Sequence, residues 1–193
     1  MKKIYICAVL GLLFASCSTD EGKSEVGQQA MEVQNGTQAN WGSVISAIEN
    51  ASSVYSEYVS TKDMISKVEG KAWANPNFAG LVTNAYVTPT EQEVTKIMTS
   101  DAEQLIKDTN YSATVKMYMK QLLVTNQAWT VSPEANPSLK AREVKMLNFI
   151  KEINDPDDEW NGRKTLAFVH GFQKDEASAV VFAVLSHQYK KIK

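Results

Sequence analysis

Nine residues near the C-terminus, Ala177 to Leu185, read Ala-Ser-Ala-Val-Val-Phe-Ala-Val-Leu without a charge among them. No face of such a segment is polar, so whatever it forms must be covered on every side. Its last six residues, Val180 to Leu185, suit a buried strand as well as a buried helix. Strict alternation is scarce elsewhere in the chain and no partner strand is evident. The run is therefore read as a central helix capped near Asp175 and Glu176, and the other elements must be its cover.

Apolar residues at helical spacing supply that cover. Trp41, Ile45, Ile48, Tyr55 and Val59 form one stripe on a helix from about Ser43. The phase slips at Ser60–Asp63, where the spacing resembles a capping box, and Met64, Ile65 and Val68 resume it. Gly70 to Gly80, punctuated by Asn75-Pro76-Asn77, reads as a loop. Thr88-Pro89-Thr90-Glu91 then gives a cap, a proline at the first helical position and a carboxylate to close the box. The helix it opens carries Val94, Ile97, Met98, Ala102, Leu105 and Ile106 to about Asp108. A further helix holds Val115, Tyr118, Met119, Leu122, Leu123, Asn126 and Trp129, and stops before Pro133. Asn136 or Ser138 opens the next, through Leu139, Arg142, Met146, Leu147, Ile150 and Ile153, and Pro156 bars its continuation. Asp157 or Asp158 caps one more, through Leu166, Val169 and His170 toward Gly171. The sum is an all-α domain over residues 41–193, six to seven helices in one compact bundle or orthogonal array.

The other end of the chain is different. Lys2 and Lys3 precede an apolar run, Ile4 to Ala15, which matches the ~7–15 residues of a secretory signal and is short of the ~20 a spanning helix needs. It ends in Leu13-Phe14-Ala15-Ser16-Cys17, with small residues beside the cysteine and Phe14 where Leu, Val or Ile is usual. This segment resembles the lipobox of bacterial lipoproteins. The resemblance covers the N-terminus alone. It implies a signal peptide over residues 1–16, removal of that peptide, and acylation of Cys17 as an outer-membrane anchor. Asp20 and Glu21 resemble the surface-export signal of Bacteroidota lipoproteins, which leaves the periplasmic and cell-surface sides both open. Residues 17–40 read as a lipidated cysteine followed by a polar tether of about 20 residues, reaching roughly 25 Å as a random coil.

Loss of residues 1–16 removes two lysines and no acid, so the 20 basic and 22 acidic residues become 18 and 22, net −4. That balance gives no basic face for nucleic acid. Of the two cysteines, Cys7 and Cys17, the first leaves with the signal peptide, so the mature domain has neither a disulfide framework nor a cysteine metal site.

Chemistry is hard to locate. His170 and His187 are the only histidines, and neither has a second histidine four residues away. The stretch from Asp157 places Glu159, Asn161 and Gly162 where an EF-hand loop has its third, fifth and sixth residues. Its ninth and twelfth places hold Thr165 and Phe168, and the missing twelfth carboxylate favours a solvated turn whose acids cap the following helix. Met64, Met98, Met117, Met119 and Met146 read as core filler. Glu57 and Glu69 occupy helix positions from which a lysozyme-like acid could act, with no motif to mark them. Trp73, Phe78 and Trp160 beside turns are candidate contacts for a partner protein or a glycan.

These readings assign no catalytic residue, cofactor or metal ligand. They point to a non-enzymatic helical module, held to the membrane by lipid on Cys17, that binds another envelope or extracellular protein in an accessory or toxin-neutralising role. A cell-wall or glycan hydrolase with helix-borne carboxylates, and a glycan-binding module built on the tryptophans, are the alternatives.

Overall fold

The computed structural model describes residues 40–154 and 162–193. Among them nine α-helices pack on one another, and no strand is present. The order is α1 (Trp41–Ser52), α2 (Thr61–Trp73), α3 (Pro76–Ala79), α4 (Glu91–Thr99), α5 (Ala102–Asp108), α6 (Ala113–Leu123), α7 (Ala141–Ile153), α8 (Gly162–Phe172) and α9 (Glu176–Gln188). Short 3-10 turns lie at Pro133–Ala135 and Tyr189–Lys191.

The uncharged C-terminal run forms α9, and it is buried on all sides from Ala177 to Ser186. Asp175 caps it by accepting a 2.6 Å bond from the Ser178 N–H, and Thr83 donates to the other carboxylate oxygen of Asp175 at 3.0 Å. Helices α8, α1, α2 and α4 supply the cover. The approach of α8 is the closest: a Cβ on Gly171 would lie 2.4 Å from the carbonyl oxygen of Ser178 and 2.6 Å from the nitrogen of Ala179. Glycine at this position lets the two backbones touch. The sequence reading ends a helix toward Gly171, whereas α8 runs through it to Phe172.

Trp41 ties the first helix to this centre. Its ring meets Phe149 and Phe172 edge-on at 5.1 and 5.3 Å and Phe168 at 5.4 Å, and its N–H donates to Glu176 at 2.7 Å. The C-terminus returns to the same region. Tyr58 donates its amide to the Lys191 carbonyl at 2.9 Å and its hydroxyl to Gln188 at 3.1 Å.

Nine helices instead of six or seven follow from two local events. Periodicity runs unbroken from Val94 to Ile106, but Asp101 accepts from the N–H groups of Glu103 and Gln104 and so starts a new helix, α5. Arg163 donates to the carbonyls of Ile97 and Ser100 at 2.6 and 2.7 Å, satisfying the end of α4 that this break exposes. In the stretch read as a loop, α2 continues to Trp73 and Asn75 caps the single turn α3, accepting from Asn77 and Phe78.

Other boundaries shift by a residue or a turn. The first helix ends at Ser52, so Val59 is 81% exposed and Tyr58 is buried in its stead. The cap of α4 is Thr90, not Thr88: Glu93 accepts from the Thr90 N–H at 2.9 Å while Thr90 accepts from the Glu93 N–H at 3.2 Å, a reciprocal box that leaves Pro89 outside the helix and buried. Helix α6 stops at Leu123, and Asn126 turns the chain with φ of 49°. Trp129, beyond that turn, folds back to donate to the Tyr118 carbonyl at 2.9 Å. Helix α7 opens at Ala141, after Asn136 and Ser138, where Glu143 accepts from the Lys140 N–H at 2.8 Å.

Candidate functional site

Among the described residues polar chemistry gathers in several places, and the helices just described explain three of them. The largest is an open cleft of about 940 Å³ along α7, closed by the start of α1 and the segment 134–139. Three adjacent pairs that repeat every four residues on α7, Val144 and Lys145, Asn148 and Phe149, Glu152 and Ile153, form one wall. Asn40, Glu134, Asn136 and Leu139 complete the lining. Trp41 closes the floor beneath Lys145, whose ammonium lies 4.3 Å from the indole ring and 3.5 Å from Glu176. Glu134 lies below the ordinary carboxyl range, held there by its own backbone N–H and by the Asn148 amide, which donates to it.

The second is a groove of about 580 Å³ between α2 and the segment that enters α4. Lys62, Ser66, Glu69, Gly70 and Trp73 give one wall, and Thr88 to Glu91 the other. Trp73 is 52% exposed. Phe78 and Tyr86 brace its ring edge-on at 5.6 and 5.8 Å. The Tyr86 hydroxyl donates to Glu69. Burial, and then that carboxylate, push the Tyr86 hydroxyl above its ordinary value, so it stays a donor.

The third is buried at Glu49 and Lys164 and open to solvent at His187, whose side chain is 43% exposed. Glu49 on α1 meets Lys164 on α8 and the Nδ1 of His187 on α9, the latter at 3.1 Å. Side-chain exposure is 13% for Glu49 and 6% for Lys164. Burial opposes the charge on Glu49, but hydrogen bonds from His187 and Lys164 and the lysine's charge outweigh it, and the carboxyl lies below its ordinary value. The arrangement staples three helices.

The residues singled out by sequence divide sharply. Trp73 is exposed on a groove. Phe78 is fully buried and reaches a ligand only through the ring of Trp73 that it braces. Trp160 and Cys17 lie outside the described residues, as do Asp157, Glu159 and Asn161 of the acidic turn. Thr165 and Phe168, the ninth and twelfth places of that turn, are buried in α8. Glu57 is exposed and pairs with Lys193, away from either groove. Glu69 lines the α2 groove, which sequence did not locate because its opposite wall is 20 residues away. His170 packs edge-on against Phe182 at 5.1 Å, and burial lowers its pKa. Met64, Met119 and Met146 fill the core, Met98 is half-buried, and Met117 is 48% exposed. The α7 cleft escaped sequence reading because an amphipathic helix that lines a cleft has the same pattern as one that faces water.

Among the described residues no group of three or more histidine, cysteine, aspartate or glutamate side chains converges as a metal site, and no helix is long and apolar enough to cross a membrane. No protein-family profile, curated protein or solved structure matches the chain.

Proposed function

We propose that the chain is a lipid-anchored, non-enzymatic helical module of the bacterial outer membrane that binds another envelope or extracellular protein through the α7 cleft. The Phe14-Ala15-Ser16-Cys17 segment carries the anchor. The single observation that supports protein binding is the make-up of the cleft. Val144, Phe149 and Ile153 share its lining with the amides of Asn40, Asn136 and Asn148 and the carboxylates of Glu134 and Glu152. Apolar anchor positions flanked by side-chain amides suit a polypeptide, which presents apolar side chains and a backbone needing both donors and acceptors. The cleft lies within the ~300–1,000 Å³ of small-ligand sites but is open along its length.

A hydrolase needs a carboxyl raised toward neutral pH as its acid. Glu134 moves the other way, so it suits only the ionised partner of such an acid. The test is photo-crosslinking in intact cells, with the reactive group at Asn148 and, as control, at Val54, exposed in the turn after α1. A protein adduct specific to Asn148 is the expected result. The same adducts from both positions, or none from Asn148, would overturn the reading. Cys17→Ala should separately abolish acylation and move the chain out of the membrane fraction; a mature N-terminus elsewhere, without lipid, would remove the anchor.

A further inference from the structure

Gly70 is an anomaly of α2. It opens the last turn of a 13-residue helix, where glycine costs roughly 0.5–1 kcal/mol relative to alanine. Packing does not require it: a Cβ there would find nothing within 4 Å. The open space beside it is the α2 groove, and Trp73, three residues on, shares the same wall. An indole that is half exposed yet braced edge-on by two rings is a preorganised flat surface. Around it stand Glu69, Glu91, Ser66 and Thr88, groups that accept or exchange hydrogen bonds. Glu69 is fixed in place by the Tyr86 hydroxyl.

From this juxtaposition we infer that the α2 groove is a saccharide site, separate from the α7 cleft, in which a pyranose ring stacks on Trp73 over the bare backbone of Gly70. The apolar face of a sugar ring matches the indole, and its equatorial hydroxyls match the carboxylates and hydroxyls at the rim. The volume of about 580 Å³ is that of a small-ligand site. Gly70 keeps the floor low enough for the ring to approach.

The test uses the full chain in detergent, titrated with β-1,4-linked tetramers of glucose and, separately, of N-acetylglucosamine, with tryptophan fluorescence and calorimetry as readouts. At least one tetramer should bind saturably. Trp73→Ala should remove that binding. Gly70→Leu is the sharper variant, because it fills open space on a helix: it should keep or raise the melting temperature while weakening binding at least tenfold. Preference for the acetylated tetramer assigns the site to wall-type glycans, and preference for the glucose tetramer to neutral polysaccharide. No binding of either at millimolar concentration, or binding indifferent to both substitutions, overturns the inference. Neither result bears on crosslinking from Asn148.

Discussion

Two consecutive helix pairs, α8–α9 and α4–α5, solve opposite problems. In α8–α9 nearly every residue is buried, and backbone touches backbone at Gly171. In α4–α5 only Val94, Ile97, Leu105 and Ile106 are buried, and the pair is shaped by side chains that cap it: Thr90, Glu93 and Asp101. Position in the core fixes the first pair, and local hydrogen bonding fixes the second. The contrast implies that substitutions of similar size should cost several-fold more in α8–α9 than in α4–α5. It also suggests which region can change without unfolding the domain.

The largest effect belongs to Lys164. Replacing it with Met leaves Glu49 buried against His187 alone, and breaking a buried pair in this way costs about 3–5 kcal/mol. Equilibrium denaturation of Lys164→Met should show that loss, and the double variant Glu49→Gln/Lys164→Met should recover most of it. The pair also sets an acid limit. The folded pKa of Glu49 is depressed, so its contribution is complete above the unfolded value, about 4.3, and is lost as pH falls through the folded value. Stability of the native chain should therefore decline below about pH 4, and less steeply in the double variant. A cost under about 1 kcal/mol for Lys164→Met, the range of exposed pairs, would break the contrast at its strongest point.

Gly171→Ala comes next. The added methyl meets backbone atoms, which cannot rotate away, so α8 and α9 must separate. Overpacking costs typically 1–3 kcal/mol, and the rigid neighbour places this site at about 3. Thermal melting checks it. Gly70→Ala, the same chemical change on open α2, should stabilise by about 0.5–1 kcal/mol. Equal signs for the two substitutions would show that contact geometry does not separate them.

Much of this architecture was readable from residue order, for reasons the two pairs make plain. Ala177 to Leu185 has no polar face, so its central place follows from burial, and the lack of a partner strand with an acidic cap signal beside it makes it a helix. The break at Asp101 was not readable in that way, because Val94, Ile97, Leu105 and Ile106 keep one helical phase across it. The residue that helps hold the break is Arg163, more than 60 positions away. The site was harder still. Trp73 could be named from its turn-side position, but its partners Tyr86 and Thr88 come from another segment. Phe78, equally aromatic and two residues from the same proline, lies inside on the turn that Asn75 caps.

Arg163 links the two pairs, which makes it a direct probe of the contrast. Arg163→Ala strips two carbonyls at the end of α4 of a charged donor, and hydrogen bonds of this kind contribute about 1.5–3 kcal/mol. The loss should be uneven. Amide exchange should accelerate in α4 and α5 while α9 stays protected, since the core pair does not depend on that donor. Uniform acceleration across both pairs would mean that they unfold as one unit.

The smallest effect tests the local side by itself. Thr90 is exposed, and its hydroxyl accepts from the Glu93 N–H at 3.2 Å while Glu93 reaches back to the Thr90 N–H at 2.9 Å and meets Lys174 at 2.6 Å. Thr90→Ala removes one half of the box and leaves Glu93 its lysine, so the cost should be about 1 kcal/mol, the usual value for an N-cap threonine. Thr88→Ala serves as control, because sequence spacing alone gives Thr88 and Glu91 the same three-residue relation. With Thr90 as the true cap, Thr88→Ala should leave stability within about 0.5 kcal/mol of the native chain, as exposed substitutions away from caps do. If Thr88→Ala costs as much as Thr90→Ala, the helix starts two residues earlier in solution. Pro89 would then sit inside α4 at its first position, and the rim of the α2 groove from Thr88 to Glu91 would be helical instead of extended.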